Sequence, residues 1–204
     1  MRKWTPKDYK TMPWKNGGGS TTELAIFPEG AGIDQFIWRL STATVAQDGP
    51  FSHFAQIDRS LAILSGAGMV LQASKEASEG VNEGVNEGVK LTQASMPHRF
   101  TGEEPIYAKL IDDTVVDLNL MTRRDVCQHY MQRLLGGDHE IREEQANQVL
   151  LFCERGQARI RHGMDLEAGD LILIDEEKAQ AGIHFHLQTS EDSIVYLMRI
   201  SFLS

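Results

Sequence analysis

The chain has 204 residues, 41% of them hydrophobic, and a formal net charge of −9. That is enough apolar material for one large or two small β domains and too much for a disordered chain. The acidic balance excludes general nucleic-acid binding, which needs a basic surface to displace counterions, and no apolar run has the length of a membrane-spanning helix. The opening residues, Met1-Arg2-Lys3-Trp4-Thr5-Pro6, lack the apolar centre of a secretory signal. The expected compartment is therefore the cytoplasm, with Cys127 and Cys153 as packed free thiols.

In chain order, the first informative stretch is Trp14-Lys15-Asn16 followed by glycines at 17, 18 and 19. A phosphate loop puts its Lys after the last Gly and then opens a helix; here Lys15 comes first and residues 21–27 read as a strand. The glycines still suit either an anion nest of backbone N–H groups or a flexible connection. Residues 36–45 are rich in aromatic and β-branched side chains and read as a strand. Alternation puts Arg39, Ser41 and Ala43 on one face and Trp38, Leu40 and Thr42 on the other.

Residues 48–71 are the centre of the pattern. Gly49-Pro50 reads as a turn, Phe51 and Phe54 as aromatic anchors, and residues 61–64 and 69–71 as strands of a hairpin closed by Ser65-Gly66-Ala67-Gly68. Adjacent strand residues point to opposite faces, so Asp58 and Arg59 cannot both face the core. At least one of them is expected to look into a pocket or its mouth, because an unpaired buried charge is costly. Residues 78–89 repeat Ser/Asn-Glu-Gly-Val three times. The repeat is too short for a solenoid and too polar to bury a core, and is expected to be a loop insertion.

Further strands are expected at 90–92, 100–102, 107–110 and 115–124. In the last, Leu118 and Leu120 share one face while Asp117, Asn119, Met121 and Arg123 share the other. Met121, and the similar polar face at Arg39 and Ser41, favour a pocket over a solvated edge. Beyond residue 125 come strands near 130–134, 148–152, 158–161, 166–174 and 193–200, with no convincing amphipathic helix. The fold class is therefore all-β, a sandwich or barrel. Hairpins at 61–71 and 149–161 look like counterparts, which suggests two related barrels, 1–124 carrying the pocket and 125–204.

Leu166-Glu167-Ala168-Gly169-Asp170 and the four apolar residues after it resemble the second cupin motif, and Gly49 and Gly66 fall where the first motif has its bounding glycines. Four segments together resemble the HutD/Ves family of bicupin proteins: residues 12–19, Trp38-Arg39-Leu40-Ser41, Asp48-Gly49-Pro50-Phe51-Ser52 with Asp58-Arg59, and residues 117–124. The resemblance implies two cupin-like barrels of jelly-roll type with a pocket in the N-terminal one. It also implies a link to histidine utilisation or a stress response, through binding a small carboxylate rather than through catalysis.

Metal-binding cupins use two His two residues apart, a Glu and a later His. Here His53 is followed two positions on by Ala55, and Arg59 would repel a cation, so no metal or other cofactor is expected. His184-Phe185-His186 reads as an exposed strand and Asp138-His139-Glu140 as a surface turn. Arginines grip carboxylates as bidentate forks. The expected ligand-binding residues are Trp14, Asn16, Arg39, Ser41, His53, Asp58, Arg59, Asp117, Asn119, Met121 and Arg123, with N-formylglutamate, urocanate and formate as candidate ligands and no catalytic residue. Two alternatives stay open. One is a metal-independent isomerase or epimerase using His53 with Asp58 or Asp117; the other is a protein–protein regulatory module. A homodimer is possible under any of these readings, with no nucleic-acid or membrane partner expected.

Overall fold

A computed structural model describes residues 1–73, 88–175 and 182–203, and every regular element among them is a β-strand. Residues 78–87 of the repeat lie outside the described residues. No helix among those described is long and apolar enough to cross a membrane. The chain forms two compact units, residues 10–124 and residues 1–9 with 125–204.

The chain opens with β1 (Arg2–Trp4), which belongs to the second unit. The first unit follows with β2 (Lys10–Pro13), β3 (Gly19–Phe27), β4 (Trp38–Val45), β5 (Gly49–Pro50), β6 (Ile57–Ser65), β7 (Met69–Ala73), β8 (Val89–Leu91), β9 (His98–Thr101), β10 (Ile106–Leu110) and β11 (Val115–Arg123). Six of these make one sheet in the order β2-β3-β4-β11-β6-β9, and four make a second in the order β5-β10-β7-β8. Leu61, Ile63, Phe100 and Val115 from the larger sheet pack against Met69, Leu71, Leu91 and Ile106 from the smaller. The central strands β4, β11 and β6 carry buried side chains on both faces: Leu40, Leu118 and Leu120 on the face opposite the shared core are as inaccessible as Leu61.

Two expectations fail here for the same reason, that local signals do not say which sheet a strand joins. Residues 61–71 are not a paired hairpin: β6 lies in the larger sheet and β7 in the smaller, so the turn at Ser65-Gly66-Ala67-Gly68 carries the chain between layers. Gly66 and Gly68 both have positive φ (88° and 101°), and a Cβ on Gly66 would stand 2.5 Å from the Thr114 carbonyl oxygen. Gly49-Pro50 is not a turn but a short edge strand, Gly49 opposite Ala108 and Pro50 opposite Tyr107. An edge tolerates proline because its missing N–H has no neighbour to serve.

The second unit contains β12 (Cys127–Glu143), β13 (Gln148–Arg155), β14 (Gln157–Ile160), β15 (Asp165–Glu167), β16 (Leu171–Asp175) and β17 (Ile183–Phe202). With β1 they form one sheet, β1-β16-β13-β17-β14-β15, with β12 also on β17. Val149, Leu151, Ile172, Ile174, Val195 and Leu197 are among the side chains that fill its core. Residues 149–161 are likewise no paired hairpin, since β17 runs between β13 and β14.

Residues 1–9, expected in the first barrel, belong to this second unit. β1 pairs antiparallel with β16, Arg2 opposite Leu173 and Trp4 opposite Leu171. Lys3 Nζ bridges Asp170 at 2.7 Å, and the Tyr9 hydroxyl donates to the Gly169 carbonyl at 2.6 Å. Asp138-His139-Glu140 is not a turn: it continues β12 opposite β17, with Glu140 across from His186. The preceding glycines make a break in register between Leu135 and Gly137 that the paired strands absorb, as bulges do.

Candidate functional site

Three neighbouring strands of the larger sheet, β4, β11 and β6, present a grid of side chains to the inside of the first unit. Arg39, Met121 and Arg59 make one row; Ser41, Asn119 and Leu61 the next; Ala43, Asp117 and Ile63 the third. Over this grid opens a cavity of about 610 Å³, walled also by Trp14, Asn16, Gly18, Thr21, Ile33, Gln47, Phe51, Phe54 and Ala108. That volume suits a small-molecule ligand.

Arg59 is only 4% exposed. Its guanidinium carbon lies 4.7 Å from the centre of the Phe51 ring, 5.0 Å from Phe100 and 5.9 Å from Phe54, so three aromatic rings collar the cation. The pairing of β6 with β9 sets Phe100 directly opposite Arg59. One Nη donates a long hydrogen bond, 3.4 Å, to the Ser52 carbonyl. Nε has no hydrogen-bond partner among the described residues. Burial pulls the guanidinium down to about 10, helped by Arg39 and opposed by Asp117, which leaves it charged at neutral pH.

Asp117, 2% exposed, faces the same space and its Oδ1 also lacks a partner among the described residues. Burial pushes its carboxyl up to about 7; the Arg59 charge and a hydrogen bond from the Ala43 backbone oppose the rise. Asn119 Oδ1 is the third unpartnered buried atom among the described residues. All three belong to residues lining the one cavity. Arg59 Nε and Asp117 Oδ1 therefore do not satisfy each other, although their charges interact.

The remaining expected residues divide. Arg39 and Ser41 are buried in the wall, the Arg39 Nε held by Glu23 Oε2 at 2.8 Å. Met121 closes the floor beside Ile57 and Phe36. Trp14 lines the cavity with its indole N–H donating to Thr21 Oγ1 at 2.8 Å. Asn16, also in the wall, accepts from the Gly18 backbone N–H at 3.0 Å. The Gly17 N–H goes to the Trp14 carbonyl, so the triple glycine is a bonded turn between β2 and β3 and neither an anion nest nor a flexible connection. A Cβ on Gly19 would run into the Thr44 carbonyl and the Trp14 ring.

His53, Asp58 and Arg123 do not line the cavity. His53 is exposed, in the irregular segment between β5 and β6 where strand alternation no longer aims side chains. Asp58 points to the opposite face of β6 from Arg59 and is held by Arg99 at 2.7 Å and Arg124 at 2.6 Å. Arg123 donates to the carbonyls of Phe36 and Asp34. Among the described residues His53 is thus not brought to Asp58 or Asp117 in the cavity wall. Sequence reasoning missed Glu23 and Phe100, whose roles arise from strand pairing across distant segments; for Phe100 the alternation signal was there, since it follows His98 on one face of β9.

Among the described residues no three His, Cys, Asp or Glu are placed to share a metal ion. His184 and His186 are exposed on β17. Cys127 and Cys153 are buried free thiols, and burial together with the Asp170 charge pushes Cys153 up to about 11.

Residues 6–196 match the HutD protein family. The chain belongs to that family. An uncharacterised 21.2 kDa protein of the region 3′ of hutC in Pseudomonas putida is 34% identical over 155 residues, 76% of this chain and 74% of that protein. The Ves protein of Cronobacter sakazakii is 36% identical over 124 residues, 59% of this chain and 61% of its own length. The solved HutD of Pseudomonas fluorescens SBW25 superposes with a TM-score of 0.81 at 28% identity, covering 100% of this chain and 99% of that one. At 9% identity, the oxalate decarboxylase of Lactobacillus farciminis superposes with a TM-score of 0.59 over 99% of this chain and 88% of its own. That likeness shows the fold alone, and the fold of this HutD-family chain is the all-β bicupin.

Proposed function

We propose that this HutD-family protein binds a small carboxylate metabolite on Arg59 and serves histidine utilisation or a stress response by sensing that metabolite. One observation carries the reading: a buried guanidinium in the wall of a cavity of ligand size, its Nε unpartnered among the described residues. Leaving a charged donor buried and unmet costs about 1–3 kcal/mol or more, and a carboxylate placed there would recover it with a charge-assisted bond. The rival view, that Arg59 exists to neutralise Asp117 and hold the sheet, is disfavoured because an oxygen of Asp117 is unpartnered too. The related Pseudomonas fluorescens HutD was solved in a formate condition, and formate is the smallest carboxylate.

Calorimetry with N-formylglutamate, urocanate and formate tests the reading. At least one should bind, and Arg59→Ala should weaken it by about a hundredfold, as loss of a buried charge-assisted contact of roughly 3 kcal/mol implies. Binding that survives Arg59→Ala unchanged in a folded variant would sink it. An enzymatic reading retains a single supporting feature, the buried carboxyl of Asp117 near neutrality. Consumption of a bound carboxylate by wild type and not by Asp117→Asn would favour it.

A further inference from the structure

The three rows of the grid differ in charge. Arg39 and Arg59 flank the first, Ser41 and Asn119 stand in the second, and Asp117 is the ionisable member of the third. Successive rows are two strand residues apart, about 7 Å, so the cationic and acidic rows stand roughly 13 Å apart at the backbone. The cavity is thus polar end to end rather than a plain anion hole. The unpartnered atoms follow the same order: a donor, Arg59 Nε, belongs to the cationic row, and two acceptors, Asn119 Oδ1 and Asp117 Oδ1, belong to the rows beyond it.

An ionised carboxylate ligand can only accept hydrogen bonds. Bound at Arg59 it would meet the donor and leave both acceptors buried and unmet. Where Asp117 is ionised, it would also set a second negative charge before that carboxylate. Those acceptors require a group that donates.

Resting on the carboxylate reading above, we propose that the cavity takes a two-ended ligand, its carboxylate on Arg59 and an N–H-bearing nitrogen on Asn119 and Asp117, so that the ligand class is an amino or N-acylamino carboxylate rather than a simple acid. An amino or ammonium nitrogen offers a separate donor to Asn119 Oδ1 and to Asp117 Oδ1, an N-acylated one offers a single N–H to one of them, and a cationic one would also balance an ionised Asp117. Specificity follows from the same geometry: an analogue lacking the N–H strands two buried acceptors and is rejected for it.

The test is calorimetry with glutarate, L-glutamate and N-formyl-L-glutamate, which share a carbon skeleton and two carboxylates and differ in the nitrogen, with formate and urocanate as further carboxylates. At least one nitrogen-bearing glutamate should bind wild type about tenfold or more tighter than glutarate. In the variant Asp117→Ala with Asn119→Ala that advantage should fall below about threefold, with glutarate bound at least as tightly as by wild type because the opposing carboxylate is gone. Neither side chain takes part in the backbone pairing of β11 with β4 and β6, so shortening them keeps the sheet register; circular dichroism checks this. Arg59-dependent binding of glutarate at least as tight as that of either nitrogen-bearing compound would overturn the two-ended site and leave the carboxylate reading standing. If no carboxylate in the set binds in an Arg59-dependent way, the carboxylate reading fails and the two-ended site fails with it.

Discussion

Asp117 shows what an unmet buried carboxyl costs the fold. Its carboxyl is buried, one oxygen is unmet, and burial raises it from the ordinary carboxylate range to about 7. A carboxyl raised on folding binds its proton more tightly in the native state, so stability is fully present below about pH 4 and declines as pH rises through about 7. Between pH 5 and 8 this group alone should remove roughly 2–3 kcal/mol, at 1.36 kcal/mol per pH unit. Denaturant melts across that range should show the decline in wild type, and Asp117→Asn should flatten it by that amount. An identical slope in the two proteins would mean the carboxyl is not held as described. At this scale the sequence was legible where alternation holds: Arg59 and Asp58 lie on opposite faces, and Asn119 and Asp117 share the side of Arg39. It was not legible at His53, because the residues before β6 have no strand period, nor at Glu23, whose bond to Arg39 spans two strands.

Strands were easier to find than their neighbours. Apolar alternation locates β4, β6, β11 and β13, yet β6 and β7 lie in different sheets and β17 runs between β13 and β14. Pairing is settled by contacts between remote segments, which no local window contains. What a local window does show is the demand for glycine. Gly66 turns the chain from one layer to the other at φ 88°, against the Thr114 carbonyl. Gly66→Ala should cost about 2 kcal/mol or more, from the left-handed backbone plus the contact, lowering the thermal midpoint by roughly 4–8 °C in a chain of this size. A midpoint unchanged within error would show that the turn relaxes freely. Gly19 has a different consequence, since a side chain there presses on the Trp14 ring in the cavity wall. Gly19→Ala should weaken carboxylate binding as well as stability, and calorimetry beside a melt separates the two effects.

For the molecule as a whole, the acidic composition and the site have opposite signs: a chain of net charge −9 buries two arginines in the wall of one cavity. The all-β class and the family were legible because the strand spacing and four motifs carry them over much of the chain. The place of residues 1–9 was not, because the partner of β1 lies some 170 positions away in β16. Removing those residues would strip the β16 edge of its neighbour, the Lys3–Asp170 bridge and the Tyr9–Gly169 hydrogen bond. The expected result is faster amide exchange in Leu171–Asp175, with carboxylate affinity at the 10–124 cavity unchanged. Loss of affinity in the truncated chain would place part of the site outside the residues named above.

The pairing of β1 with β16 also sets an order of events at the ribosome. Arg2–Trp4 are made before their partners Leu171–Leu173, which follow only about 170 residues later, roughly 10–30 s at cellular rates of elongation. All strands of the 10–124 unit are synthesised within that interval. A segment made before all of the 10–124 unit is therefore among the last to find its hydrogen bonds, and the nascent chain must carry a short, positively charged strand unpaired until β16 has been made.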